Sequence, residues 1–454
     1  MAANLPPEIL SMILNACAYD KETLHACILT NRIWHIVAIR HLWARPFTLL
    51  YNKRECYIKS RLCKRKAESL LTTFIRSITD VKEIKKDVSV LTKKYEKKPP
   101  FNYNVYLKEI HFYEVWSLVR DWCTPYGGDY ESLSLTMRNS GKLAVKIVCL
   151  AILYCQHLRT FTLEAPKRLS YYQQISEILM SVKSLPHLRI CAFKLSGVAN
   201  DKMLELFSRF SHNLESLSVD FQDRFLEKSA KTSLQKLIQT QRYLKTVHVK
   251  RLSTTMASIF ELLNVKSNCL ESIILLGVKF QSGENMQFKP SQFRRVKSID
   301  LRSCKIPMID TVKPMIETEF PHLQELTFRG TEMSCEILRR ILEKHGGKLF
   351  SEYEFPHLYN LELHDMSHFE PTSLESFLLN SKPSLRSLII DDTSRITDAH
   401  LKILLKYLGR SLRTLKFKFN GEQTSMISHV SNVIAHLDSY VSPNINSDLC
   451  PVWA

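Results

Sequence analysis

Histidines and cysteines are the side chains most able to bind metal or attack a substrate, and here neither is arranged to do so. The 16 histidines stand at no ligand spacing, and the 12 cysteines form no Cys-x-x-Cys pair, so neither a zinc site nor a disulfide framework is indicated. Cys149, Cys155 and Cys191 each lie among apolar neighbours, which marks them as core thiols rather than nucleophiles. No Gly-x-Gly-x-x-Gly, Gly-x-x-x-x-Gly-Lys-Ser/Thr, Gly-x-Ser-x-Gly or His-Glu-x-x-His occurs. His345-Gly346-Gly347-Lys348 lacks the first glycine and the final hydroxyl of a phosphate loop. A cysteine whose catalytic partners are near only in space stays open on the residues alone. The expectation is a binding protein, not an enzyme, with no cofactor and no metal.

The side chains that could bind something are set in a repeating frame. Leu-x-x-Leu-x-Leu, with other apolar residues allowed, recurs at Leu107/Ile110/Phe112, Leu158/Phe161/Leu163, Leu188/Cys191/Phe193 and Leu214/Leu217/Val219. It continues at Leu244/Val247/Val249, Leu270/Ile273/Leu275, Val296/Ile299/Leu301 and Leu323/Leu326/Phe328. Leu358/Leu361/Leu363, Leu385/Leu388/Ile390 and Leu412/Leu415/Phe417 complete the series, and a weaker unit is Tyr130/Leu133/Leu135. Most intervals are 26 to 30 residues; the one of 35, from Leu323 to Leu358, reads as an inserted loop around Gly346-Gly347. Amphipathic segments lie between, at Ile175–Val182, Met203–Phe210, Met256–Leu263, Ile337–Leu342 and Leu401–Leu408. A doubly wound sheet would not keep one leucine phase so many times, and 11 glycines are few for its nucleotide loops.

Strand plus helix at this period resembles the leucine-rich repeats of the longer, cysteine-containing kind. Val296 to Cys304 puts a Cys where that family has Asn or Cys, and Ile396-Thr397-Asp398 before Leu401 matches its helix start. Ser196, Val278, Thr331 and Thr393 depart from the Cys/Asn position. The resemblance implies an α/β solenoid, a horseshoe whose parallel strands line the concave face. Residues between the leucines then point out of that face. They include Arg159, Arg189, Lys245, His248, Tyr359, Arg386, Arg413 and Lys416, the candidate target-binding set, with acidic residues such as Glu271 and Asp300 in the middle.

The N-terminal stretch carries a different pattern. Pro6 and Pro7 stand where a helix can start, since first-turn N–H groups lack partners anyway. Glu8 adds negative charge near the positive helix end. Ile9, Leu10, Ile13 and Leu14 form one apolar stripe; Leu24, Cys27 and Ile28 form another, and Ile33, Trp34, Val37, Ala38 and Leu42 a third. Three such short helices bury too little surface for a robust core, so part of their apolar face should pack on something else. Leu5-Pro6-Pro7-Glu8-Ile9, Arg32-Ile33-Trp34 and Leu42-Trp43 together resemble an F-box, the module that docks a Skp-type adaptor of a cullin-RING ubiquitin ligase. The resemblance implies adaptor contacts by Leu5, Pro6, Ile9, Leu10 and Trp34, and it is closest to the fungal F-box/leucine-rich-repeat proteins.

Composition bounds the rest. The formal net charge is +18 with a pI near 9.3, and residues 51–100 hold 15 Lys/Arg against 6 Asp/Glu. A solvated helical connector is the favoured reading of this run, with nuclear import next. Nucleic-acid binding would want aromatic platforms beside the charges, and Tyr57 with Tyr95 gives little. The apolar run Leu143–Leu153 is too short to span a bilayer and carries Lys146. No signal peptide or Asn-x-Ser/Thr sequon is found, so the cytosol or nucleus is expected. The domain reading is an F-box region at 1–47, a basic, mostly helical connector at 48–100, a repeat solenoid at 101–440 and a tail at 441–454. The expected function is the substrate-recognition subunit of a Skp–cullin–F-box ubiquitin ligase. The alternatives are a non-ligase repeat protein whose N-terminal helices cap the solenoid, and a basic nuclear scaffold.

Overall fold

The structure is a computed structural model that describes residues 5–50, 61–78, 102–123, 130–155, 157–163, 187–194, 200–225, 228–281, 293–329, 331, 360–364, 371–372, 375, 387–391, 398–408 and 414–418. Its class is α/β, built on parallel strands. The chain divides into two compact units, Met1–Leu214 with Thr240–Arg242, and Glu215–Gln239 with Tyr243–Ala454. That division falls inside the expected repeat region, not at residue 47 or 100.

The first unit opens with three short helices, α1 (Pro7–Ala16), α2 (Lys21–Ile28) and α3 (Arg32–Ala44). Each start has a local cause. Pro7 occupies the first turn of α1; the Asp20 carboxylate accepts the Glu22 and Thr23 N–H groups; the Asn31 carbonyl oxygen accepts those of Ile33 and Trp34. Leu10, Leu14, Leu24, Val37 and Ala38 form their shared core, with Cys27, Ile28, Trp34 and Leu42 packed against it.

Past this core, α3 runs into the body of the unit. Trp43 stacks on Tyr103 with ring centroids 4.1 Å apart, and Phe47 in α4 (Pro46–Leu50) meets Phe74 edge-on at 5.1 Å. Phe74 belongs to α5 (Arg61–Ile78), where Ala67, Leu71, Phe74 and Ile75 are fully buried while Arg65 and Lys66 face solvent. The described part of the expected connector is therefore an amphipathic helix in the unit's core, not a solvated spacer. Strands β1 (Glu109–His111), β2 (Thr160–Leu163) and β3 (Ile190–Lys194) pair in parallel. Tyr130, Leu133 and Leu135 lie on the helix Tyr130–Tyr154, so this weak repeat is no strand.

The second unit carries β4 (Ser216–Phe225), β5 (Thr246–Thr254), β6 (Ser272–Leu276), β7 (Lys279–Phe280), β8 (Ser298–Arg302) and β9 (Glu325–Arg329). It continues with β10 (Asn360–His364), β11 (Ser387–Asp391) and β12 (Thr414–Lys418). They pair in parallel in chain order, except that the short β7 pairs β5. Parallel neighbours need a crossover, and the helices Lys228–Thr240, Met256–Asn264 and Ile309–Glu317 supply it; the first buries the Leu234, Leu237 and Ile238 face, and Met256–Asn264 is buried except at Glu261 and Asn264. From Leu107 to Phe328 the leucine-type triplets other than the weak Tyr130 unit are buried, and register stacks Leu217, Val247, Ile273, Ile299 and Leu326 into one row of the core.

The turns repeat as well. Arg251, Gly277 and Ser303 each directly follow the register row Lys250, Leu276, Arg302, and all three have left-handed backbone, with φ of 48°, 64° and 51°. Cys304 Sγ then donates back to the Leu275 carbonyl at 3.4 Å. Thr331 Oγ1 donates to the equivalent Leu301 carbonyl at 2.9 Å. The departure from Cys at 331 thus keeps the hydrogen bond, because a hydroxyl donates to the same carbonyl. Asp398 opens the helix Asp398–Leu408, as expected.

Candidate functional site

Two kinds of surface stand out, the exposed side of the N-terminal helices and, in each unit by itself, the outward side of the strands. The first belongs to the N-terminal helices. Burial of Leu10 and Leu14 turns the neighbouring apolar residues of α1 outward, leaving Ile9 45%, Met12 72% and Ile13 45% exposed. At the end of α2 and on α3, Leu29 is 74%, Ile33 43% and Ile36 38% exposed. Large apolar side chains left in water on short helices make this a candidate contact surface. The Ser11 hydroxyl and His41 Nε2, 2.9 Å apart, tie α1 to α3. Burial, with the charges of Lys108 and Arg45, holds His41 below its ordinary pKa.

The residues expected to meet an adaptor are divided by this geometry. Pro6 is exposed at the N-cap of α1, Ile9 is exposed, and Leu5 and Trp34 are half-buried. Leu10 has no exposed surface, because helical phase places it with Leu14 in the three-helix core, so it drops out of any contact set. Met12 was missed. The signal was its spacing: it stands three residues after Ile9, on the same helix face.

The second surface is the outward side of the strands. In the first unit, one slot of each repeat forms a ladder. The Arg159 N–H donates to the Lys108 carbonyl at 2.7 Å, and the Arg189 N–H to the Arg159 carbonyl at 2.8 Å. Three cationic residues thus stand one strand spacing apart along the backbone, about 5 Å, each directly before its strand. Burial first, then the charges of Arg159 and Arg45, hold the Lys108 ammonium below its ordinary range. An Arg189 guanidinium N–H reaches the Asn213 carbonyl at 3.1 Å. Glu109 accompanies this edge but is engaged by His111 at 2.6 Å and Arg45 at 4.0 Å. Burial would raise its pKa; the hydrogen bond and charge of His111 with that of Arg45 outweigh it and hold Glu109 lower. Lys108 escaped the sequence reading although it follows Leu107 as Arg159 follows Leu158.

In the second unit the same slot reads Glu215, Lys245, Glu271, Lys297, joined by the same backbone bonds. Here the charges alternate, and Glu271 lies 3.6 Å from Lys245 and 4.0 Å from Lys297. The row beyond reads Ser218, His248, Ile274, Asp300, Thr327, and the next Asp220, Lys250, Leu276, Arg302, Arg329. Asp220 holds the Arg251 guanidinium by two hydrogen bonds and Asp300 that of Arg302. His248 is half-buried; burial, then the charges of Lys250 and Arg302, lower its pKa against the opposing pull of Asp300.

Of the expected target-binding residues, Arg159 and Arg189 stand on the first ladder, Lys245 on the second, and His248 in the row beyond it. Lys416 lies in β12, its backbone in register with Ile389. Tyr359, Arg386 and Arg413 lie outside the described residues, as do residues 344–355 of the inserted loop.

Cys149, Cys155 and Cys304 are buried, which pushes their thiols up to about 12, and Cys191 is raised by the same cause. Among the described residues, no three His, Cys, Asp or Glu side chains lie close enough together to hold a metal ion. No helix among them is long and apolar enough to cross a membrane. Compared with protein-family models and with curated proteins, the chain has no match.

Proposed function

We propose that the chain is the substrate receptor of a Skp–cullin–F-box ubiquitin ligase. In this reading the N-terminal helices are an F-box that docks a Skp-type adaptor, and the strands belong to a leucine-rich-repeat solenoid that holds the target. The mechanism is proximity: holding a target lysine near the ubiquitin-charged enzyme replaces a dilute encounter, and the chain itself does no bond chemistry.

One observation carries the reading. The three helices have a core of their own, yet they leave Ile9, Met12, Ile13, Leu29, Ile33 and Ile36 in water. The alternative, that the helices only cap the repeats, accounts for Trp43 on Tyr103 and for the Lys108 N–H bonded to the Ala44 carbonyl at 2.9 Å. It gives no reason for the exposed apolar residues on α1. Both roles fit on one element, since α3 gives its last turn to the body of the unit.

The test is direct. Full-length protein mixed with a purified Skp-type adaptor should co-elute with it on size exclusion as a stable one-to-one complex. Separate elution at micromolar concentrations would sink the proposal. Cutting the chain at residue 47 is not a clean control, because Trp43 and Phe47 are core residues of the unit.

A further inference from the structure

The outward positions of β4, β5, β6, β8 and β9 form three register rows, and Ile274 and Leu276 are the only apolar side chains in them. The others are Ser, Thr, His, Asp, Glu, Lys or Arg. Both apolar residues are on β6, near the middle of the described strands, and both are partly exposed, whereas the alternate residues Ile273 and Leu275 are buried. A solvated sheet face has no use for two large aliphatic residues side by side; the positions of β4 and β9 equivalent to Ile274 are Ser218 and Thr327, and those equivalent to Leu276 are Asp220 and Arg329. Two residues apart on a strand, they span about 6–7 Å, the reach of one aromatic ring.

Their rim is particular. Register sets His248 and Asp300 on either side of Ile274, and Lys250 and Arg302 on either side of Leu276. Arg302 is held by Asp300, and beyond Lys250 Arg251 is held by Asp220. Lys250 has no ion-pair partner among the described residues. The patch therefore offers an apolar centre, an uncharged imidazole on one side and one uncommitted cation. Binding energy tends to concentrate where an apolar anchor is ringed by polar groups that exclude water.

We propose that Ile274 and Leu276 form the anchor point for target proteins, taking a large aromatic side chain from a segment that carries an adjacent carboxylate for Lys250. The assignment deepens the substrate-receptor reading and rests on it for the identity of the occupant as a target. Adaptor binding involves other residues, so failure of one claim is separable from failure of the other.

The experiment is selection of a random-peptide display library on immobilised full-length protein, run in parallel on an Ile274→Ser/Leu276→Ser variant. The expected consensus is a Trp, Tyr or Phe with Asp or Glu within two residues. Synthetic peptides of that consensus should bind the double variant roughly tenfold more weakly or worse, as lost apolar contact requires. Its thermal midpoint should stay near that of the parent, because both side chains already meet water. Lys250→Glu leaves the apolar pair in place and covers the case in which the double variant folds poorly. It should turn the flanking preference from acidic to basic while keeping the aromatic residue. Selected peptides without an aromatic residue, equal binding by the double variant, or unchanged flanks with Lys250→Glu would each overturn the assignment.

Discussion

Replacing Ile9, Met12 and Ile13 together by glutamine separates surface from core on a single helix. Glutamine is close to methionine in helix propensity, so α1 should persist. Full burial of such a side chain contributes about 1.5–3 kcal/mol, and the fractions still exposed are 45%, 72% and 45%. Covering what remains with an adaptor would thus yield about 2–5 kcal/mol, and the triple variant should forfeit it. Affinity should fall by a factor of roughly fifty to a few thousand, at about tenfold per 1.4 kcal/mol. Stability should barely move, since exposed substitutions usually stay within about 0.5 kcal/mol each. Leu10→Ala is the counterpart one position away. Its side chain is fully buried, and the change should cost about 2–5 kcal/mol of stability. Biolayer interferometry against a purified Skp-type adaptor reads the first effect, and urea unfolding the second. If the glutamine variant binds with parental affinity, or unfolds as readily as Leu10→Ala, then the exposed residues are not a docking face.

Three further outcomes follow from the second unit and from two half-buried histidines. Thr331→Val removes the donor to the buried Leu301 carbonyl and should cost about 1–3 kcal/mol in urea unfolding, whereas Thr331→Cys should recover much of it, as Cys304 does one repeat earlier. Gly277→Ala should lose about 1–2 kcal/mol, because φ is 64° and the new Cβ would stand 3.3 Å from Arg251 Cγ; a midpoint equal to the parent's would refute the left-handed turn. His41 and His248 have folded pKa values below the ordinary value of about 6.5, so the unfolded chain binds more protons and stability should decline as pH drops below about 6.5. His41→Gln should flatten that decline in thermal melts taken between about pH 7.5 and 5.5, and an unchanged slope would show that His41 is not its source.

Much of this architecture is legible in the residues because burial repeats with a fixed phase. Leu217, Val247, Ile273 and Ile299 could be assigned to a core row from spacing alone, since parallel strands stack equivalent positions. Phase fails where an element is short or apolar on both sides. Ile9, Leu10, Ile13 and Leu14 read as one stripe, yet neighbours on a helix diverge by about 100°, and only Leu10 and Leu14 reach the core. In Ile273-Ile274-Leu275-Leu276 the repeat phase turns Ile274 outward, but a search for charged and aromatic side chains passes over two aliphatic residues that meet solvent. Arg61–Ile78 looks like a charged spacer because its basic residues outnumber the four apolar positions that bury it. Net charge counts every side chain alike, whereas docking depends on one face.

The slot after the first leucine of each repeat shows how one topology can serve two electrostatic ends. At about 5 Å in water, neighbouring unit charges interact by only about 0.8 kcal/mol, so either arrangement is tolerable for folding. In the first unit Lys108, Arg159 and Arg189 add, and their combined field extends over roughly a Debye length to draw acidic groups. In the second unit Lys245, Glu271 and Lys297 compensate one another at contact distance, and little of their field survives beyond it. A partner meeting the second unit therefore gains little from this ladder at long range. It must be held by what it touches, and the rows beyond the ladder offer only Ile274 and Leu276 as surface that water gives up at a profit. The apolar part of binding there should accordingly resist salt, apart from the one Lys250 ion pair, while the first unit's attraction fades with it. A titration of binding against ionic strength from about 50 mM to 500 mM, on the Ile274→Ser/Leu276→Ser protein and on an Arg159→Gln/Arg189→Gln protein, would expose the difference. The arginine variant should retain a salt-insensitive remainder of affinity, the serine variant should keep only the salt-sensitive part, and identical salt slopes for the two would refute the division.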